Sequence, residues 1–226
     1  MTIHIYSDSF GAKNQPDTWL HELEKLQNQK VICNGKGGTG PNWSLRKLIM
    51  DLENSVFNAR DFCIILLSDQ KRMEFPWLKS DSHQLVYQLQ EELETPPPHT
   101  HKYKIHKSEI ETVAKTLGPM FLYENVKNIT FLHLLSKQFD SINFLVFTCF
   151  DLDCYTSKYK NFNITSTKLL EDLDFNYLNT DNFYYVSTPI SSMIDVHTQK
   201  SFHNHMTKEH NKKFALICDT LLERFI

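Results

Sequence analysis

Two short stretches at opposite ends of the chain carry side chains able to serve as a nucleophile and its base. The first is Ile3-His4-Ile5-Tyr6-Ser7-Asp8-Ser9-Phe10-Gly11, an apolar alternating run that breaks into Asp-Ser and ends on glycine. The pattern predicts a strand that delivers the Ser9 hydroxyl to its carboxyl end, followed by the small residues of a tight strand-to-helix turn. Ligands of open α/β sheets bind outside the carboxyl ends of the strands. Ser9 then falls where such a sheet does its chemistry, although the same serine can cap the helix that follows. The second stretch is His203-Asn204-His205-Met206-Thr207-Lys208-Glu209-His210, where a hydroxyl followed by Glu and an apolar periodic run marks a helix start with Thr207 as its cap. His205 is thereby left in the loop entering the helix. A serine hydroxyl is a weak nucleophile until a base takes its proton, and histidine is the usual base near neutral pH. Ser9 and His205 form that pair if both loops meet at one sheet edge. Solvated or helix-capping histidines explain the same spacing. A metal site of His203, His205 and His210 does not fit the i, i+4 pattern of helical zinc motifs.

The elements that must position these loops can be read in chain order. Pro16 to Asn28 carries Trp19, Leu20, Leu23 and Leu26 at helical spacing, and Lys30 to Asn34 is a short apolar run that reads as the second strand. Four of the six glycines follow it at once, between Gly35 and Gly40. Such a loop lets a ligand approach the main chain and suggests a site wall, or it is an exposed turn. Its spacing is neither G-x-G-x-x-G nor a G-K-[ST] ending, so nucleotide binding is poorly supported. Asn42 to Asn54 predicts an amphipathic helix, and Asp61 to Leu67 is a continuous apolar run suited to a strand covered on both faces. That strand runs into Ser68-Asp69. The edge then receives Asp8, Ser9, Ser68 and Asp69 together.

From about residue 80 to 138 the pattern is helical, interrupted by Pro96-Pro97-Pro98, which predicts an inserted helical hairpin. Its tip holds His99, His101 and His106, which can be a metal site or a solvated, lysine-interleaved loop. Ser141 to Thr148 and Asn182 to Val186 read as the fourth and fifth strands, with a short helix near Ser166 to Leu173 between them. Met206 to Ile226 is a long amphipathic helix. The alternation of strands and helices predicts an α/β fold, a three-layer α/β/α arrangement around a doubly wound, mainly parallel five-stranded sheet in one domain spanning 1–226.

Composition narrows the function classes. With 226 residues, 41% hydrophobic, 12% aromatic and 23% charged, the chain belongs with ordinary globular proteins. A net charge of −3 gives no overall basic field for wrapping nucleic acid. No run approaches a membrane span and the chain opens directly into a strand, so a cytoplasmic protein, or one exported by a route without a cleaved signal, is expected, with no membrane partner. The five cysteines, Cys33, Cys63, Cys149, Cys154 and Cys218, are odd in number and lack a C-x-x-C pair, which favours reduced core thiols. The Cys149–Cys154 spacing has no second cysteine pair to complete a metal site.

In this order the motifs resemble the SGNH (GDSL-type) hydrolases. Ser7-Asp8-Ser9-Phe10 is similar to their Gly-Asp-Ser block, with Ser9 at the nucleophile position and Ser7 in place of the usual glycine. Gly38 matches the second-block glycine whose amide contributes to the oxyanion hole. Leu66-Leu67-Ser68-Asp69 stands where G-x-N-D is expected, with Ser68 for the asparagine and Leu66 for the glycine, and His205 matches the last-block histidine. Phe202 occupies the place of the D-x-x-H aspartate. The opening block, the Gly-rich loop running into Asn-Trp-Ser and His-Met-Thr-x-x-His look most like divergent members encoded by bacteriophages, for which a virion-associated location is the alternative to the cytoplasm.

The resemblance implies an ester or acyl hydrolase that needs no cofactor and no metal. Ser9 attacks the ester carbonyl and His205 acts as base and then acid. The amides of Ser9 and Gly38, with the Ser68 hydroxyl as partial substitute, hold the oxyanion. Asp8, Trp43, Asp69 and Arg72 line the substrate side of the same edge. The expected substrate is a small-molecule or carbohydrate ester, an O-acetyl group among the candidates. The alternative is a silent member of the fold that binds carbohydrate or a protein partner.

Overall fold

The structure, a computed structural model, describes residues 1–8, 11, 18–36, 39–68, 107–149, 175–194 and 206–226, with side chains left out for 107–122 and 176. Five strands form one sheet: β1 (Thr2–Tyr6), β2 (Lys30–Cys33), β3 (Phe62–Leu67), β4 (Asn143–Thr148) and β5 (Phe183–Val186), in the order β2-β1-β3-β4-β5. All neighbours are parallel, with Ile3 beside Val31 and Phe62, Ile64 beside Leu145, and Phe144 beside Phe183. Every strand expected from the sequence forms, shorter by a residue or two where a polar end residue has other work. Asp61, for example, leaves β3 to accept the Thr2 and Asn58 backbone N–H groups at 2.7 and 2.8 Å.

Helices cover both faces. They are α1 (Trp19–Gln27), α2 (Pro41–Glu53), α3 (Lys107–Gln138), the single-turn α4 (Ile190–Met193) and α5 (Lys208–Leu222). Trp19, Leu20 and Leu23 of α1 and Phe214, Ala215, Cys218 and Leu222 of α5 pack with Ile3, Ile5, Ile64 and Phe147 on one face. Leu45, Leu48 and Leu52 of α2 and Ile129 and Leu132 of α3 pack with Tyr6, Cys63, Ile65 and Val146 on the other. Each large apolar side chain so buried contributes about 1.5–3 kcal/mol. The completely buried β3 sits between two helix layers, which is why its sequence is apolar without alternation.

Residues 69–106 lie outside the described residues, and with them the first part of the helical insertion expected at about 80–138, the histidine loop and Pro96–Pro98 included. The remainder, Lys107–Gln138, is one continuous helix whose second half supplies Ile129 and Leu132 to the core as part of the β3-to-β4 crossover. The short helix expected near Ser166 to Leu173 also lies outside the described residues. Two small elements had no clear sequence period, a 3-10 turn at Phe175–Leu178 and α4. No described helix is long and apolar enough to cross a membrane.

The strand order has a functional consequence. From β1 the chain steps outward to β2 and then returns across β1 to β3, so the winding direction reverses between β1 and β3. At such a switch point the connections leave in opposite directions and open a crevice beyond the carboxyl ends of the strands. Ser7-Asp8 and Ser68 stand at the ends of these two strands.

Candidate active site

Among the site residues expected from sequence, the structure describes Asp8, Trp43 and Ser68. Ser9, Gly38, Asp69, Arg72 and His205 lie outside the described residues, so the edge is built here from their neighbours in the chain.

At the end of β1, Ser7 and Asp8 are both fully buried. The Gly11 N–H donates to the Asp8 carbonyl at 3.2 Å, and the Ser7 hydroxyl donates to the same oxygen at 2.9 Å. A four-residue span from Asp8 to Gly11 is thus closed, and Ser9 is its second residue in sequence. The Cys33 thiol at the end of β2 donates to the Gly11 carbonyl, packing the neighbouring strand against the span.

The loop after β2 crosses the end of β1 and reaches β3. The Lys36 N–H donates to the Ser7 carbonyl at 3.1 Å, the Thr39 hydroxyl to the Lys36 carbonyl at 2.7 Å, and the Ser68 hydroxyl to the Thr39 carbonyl at 3.3 Å. Thr39 and Ser68 are buried, so these bonds are made away from water, where an unmade one costs about 1–3 kcal/mol. The carboxyl ends of β2, β1 and β3 are thereby tied together by the loop that contains Gly38. Gly40 is the N-cap of α2 and Pro41 opens its first turn, where a missing N–H costs nothing. Half-buried Trp43 follows in that turn, with the Lys36 ammonium 6.0 Å from its ring centre.

At the far end of the chain, Thr207 caps α5 as its sequence predicts, accepting the His210 N–H at 3.1 Å. The first turn of α5 is tied to the start of α1. The Asn211 carboxamide oxygen accepts the Trp19 N–H at 3.0 Å, while its nitrogen donates to the Met206 carbonyl at 3.3 Å. At the other end of the helix pair, Gln27 donates to Asp219 at 2.7 Å. The two helices therefore run side by side in the same direction, with Trp19 against Phe214 edge-on at 4.8 Å. Because α1 links the parallel strands β1 and β2, its first turn lies at the carboxyl edge of the sheet. The first turn of α5, and Met206 immediately after His205, lie at that edge as well.

Asn211 and Thr39 were not singled out by sequence reasoning. Thr39 had a faint signal, being the one hydroxyl within Gly37-Gly38-Thr39-Gly40. Asn211 had none, because its partner Trp19 is 192 positions away.

Two further polar clusters lie within the fold. The Tyr6 hydroxyl donates to Asp51 at 2.8 Å and Lys47 pairs with the same carboxylate at 2.5 Å, and burial holds the phenol well above its ordinary pKa. His4 is almost fully buried, 3.5 Å from Asp61, with its ring tilted against Phe57 at 4.4 Å. Burial lowers its pKa, against the opposing pull of Asp61. Among the described residues no group of three His, Cys, Asp or Glu could hold a metal ion.

No protein-family model matches the chain, and no curated protein matches it. Solved structures do. One is a protein assigned as an SGNH hydrolase from Slackia heliotrinireducens, with 11% identity and a TM-score of 0.52 over 97% of each chain. Another is a protein assigned to the lipolytic G-D-S-L family from Desulfitobacterium hafniense DCB-2, with 10% identity and a TM-score of 0.46 over 97% of this chain and 98% of that one. The likeness to the first covers nearly the whole of both chains, and with the five-stranded parallel sheet it shows that the chain has the fold of the SGNH (GDSL-type) hydrolases.

Proposed function

We propose that this protein is an SGNH-type serine hydrolase of esters, with Ser9 as nucleophile and His205 as base. The observation that supports the reading is the common edge: the carboxyl end of β1, the start of α1 and Met206 lie at the same edge of the sheet, with Asn211 joining Trp19 to Met206. Ser9 Oγ attacks the ester carbonyl carbon as its proton passes to His205. The amides of Ser9 and Gly38 receive the oxyanion. His205 then returns the proton to the departing alkoxide, leaving an acyl-serine. Water attacks that acyl group as His205 takes its proton, and His205 then gives that proton to Ser9 Oγ as the acyl–Oγ bond breaks and the acid leaves. Ser9 and His205 carry every proton in this scheme.

The departures from the family pattern set the rate. Ser68 stands for the asparagine donor, and its single hydroxyl proton points to the Thr39 carbonyl. Its part in this reading is therefore to fix the Gly38 loop, with any direct bond to the oxyanion made at the expense of Thr39. Loss of one oxyanion donor costs about 100- to 1000-fold in comparable sites. Phe202 in place of the aspartate leaves His205 to be oriented by other groups, and a missing carboxylate partner can cost about 10,000-fold. These two features favour, as a second reading, a silent member that binds carbohydrate or protein at the same edge. Buried Asp8 is assigned to the turn. Trp43, Asp69 and Arg72 are assigned to the substrate, a small-molecule or carbohydrate ester.

Turnover of p-nitrophenyl acetate by the wild type and by Ser9→Ala tests the reading. Activity lost in the variant, at an unchanged melting temperature, is expected. Equal turnover by both, or none by the wild type, overturns it.

A further inference from the structure

We infer that Asn211 is a positioning residue for the base, holding Met206, the residue that follows His205 in the chain, against the start of α1; the inference rests on the hydrolase reading above. Its carboxamide is used at both ends. The oxygen takes the Trp19 N–H, one of the donors that the first turn of any helix cannot satisfy internally. The nitrogen takes the Met206 carbonyl, one residue beyond His205. The Asn211 backbone N–H is itself committed to the Thr207 carbonyl at 2.9 Å. The side chain is therefore held by a helix already fixed at its N-terminus by the Thr207 cap.

Buried Trp19, wedged against Phe214, makes the other side of the clamp rigid. In an enzyme whose base lacks an adjacent carboxylate in the D-x-x-H place, the main chain on either side of the histidine must supply more of its orientation. A displacement of about 1 Å in a reacting group can cost about 100-fold. The bond to the Met206 carbonyl fixes the main chain next to His205, and the Met206 side chain packs against the core beside it.

The two halves of the carboxamide can be separated. Asn211→Asp keeps an oxygen acceptor for Trp19, in the first turn of a helix where negative charge is favourable, and loses the N–H to Met206. Asn211→Ala loses both. With p-nitrophenyl acetate as substrate, Asn211→Asp is expected to keep the wild-type melting temperature within a few degrees while kcat falls about 10- to 100-fold. KM should change less than about 2-fold, because ground-state binding is untouched. Fluorophosphonate labelling of Ser9 should slow with kcat. Asn211→Ala should lose both stability and kcat.

Wild-type kcat in Asn211→Asp would overturn the inference. So would a fall in melting temperature equal to that of Asn211→Ala, which would make the contact structural only. Failure of the hydrolase reading looks different: the wild type is then neither labelled nor active, and the positioning role falls with it.

Discussion

A β-carbon built on Gly11 would lie 2.0 Å from the Ser7 hydroxyl oxygen and 3.0 Å from its β-carbon. The Ser7 side chain thus occupies the space above Gly11, and the two positions are coupled. Ser7 can carry a side chain only because Gly11 carries none.

Gly11→Ala should therefore destabilise the fold by about 1–3 kcal/mol through overpacking. Adding Ser7→Gly should recover part of that loss, the rest persisting because Ile5 also stands 3.1 Å from the added carbon. Urea unfolding of the two single variants and the double variant measures the coupling, and strictly additive changes would show the residues to be independent.

Ser68 is expected to matter through Thr39. Ser68→Ala removes the donor that ties the Gly38 loop to β3, and should lower kcat for p-nitrophenyl acetate at least about 10-fold with a modest stability cost of about 1 kcal/mol. Ser68→Thr, which keeps the hydroxyl, should recover most of the rate. Undiminished kcat in Ser68→Ala would show that the tie has no part in the reaction.

His4 gives the fold a pH dependence of defined sign. Its pKa is lowered in the folded protein, chiefly by burial and slightly by Lys30, with Asp61 and Asp51 opposing. The unfolded chain therefore binds the proton more readily, so this contribution is fully present above the ordinary value of 6.5 and is lost as pH falls through the lowered folded value. Melting temperatures measured from about pH 8 down to about pH 5 should fall more steeply in the wild type than in His4→Gln. Parallel curves would remove His4 as the cause.

Charge at the edge should select substrate. Arg72 is the fifth residue after β3 in sequence, and Lys36 lies beside Trp43 just beyond the end of β2. Arg72→Ala and Lys36→Gln should each lower kcat/KM for p-nitrophenyl hemisuccinate, relative to p-nitrophenyl acetate, by about 2- to 5-fold, the scale of one charge pair in contact with solvent. An unchanged ratio in both variants would show that neither side chain meets the substrate.

The frame of this protein is legible in its sequence because burial leaves a local record. Phe62–Leu67 is apolar throughout since both faces of β3 are covered, and Thr207 is followed at the right distance by the helix it caps. The ends of β1 and β3 are polar where the switch point opens. What joins these pieces is not local. Asn211 reads as an ordinary polar residue until Trp19 is placed beside it, and the Ser68–Thr39 bond joins two strands' loops across 29 positions. The turn at Phe175–Leu178 was equally hidden, since Phe175 and Leu178 meet the core from a segment too short to show a period.

The central claim is that Ser9 is an activated nucleophile. Incubation with a fluorophosphonate probe, followed by mass spectrometry of the digested protein, tests it most directly. The account predicts one covalent adduct on Ser9, lost in His205→Ala as well as in Ser9→Ala; an unlabelled wild-type protein, or an adduct on another residue that survives Ser9→Ala, would contradict it.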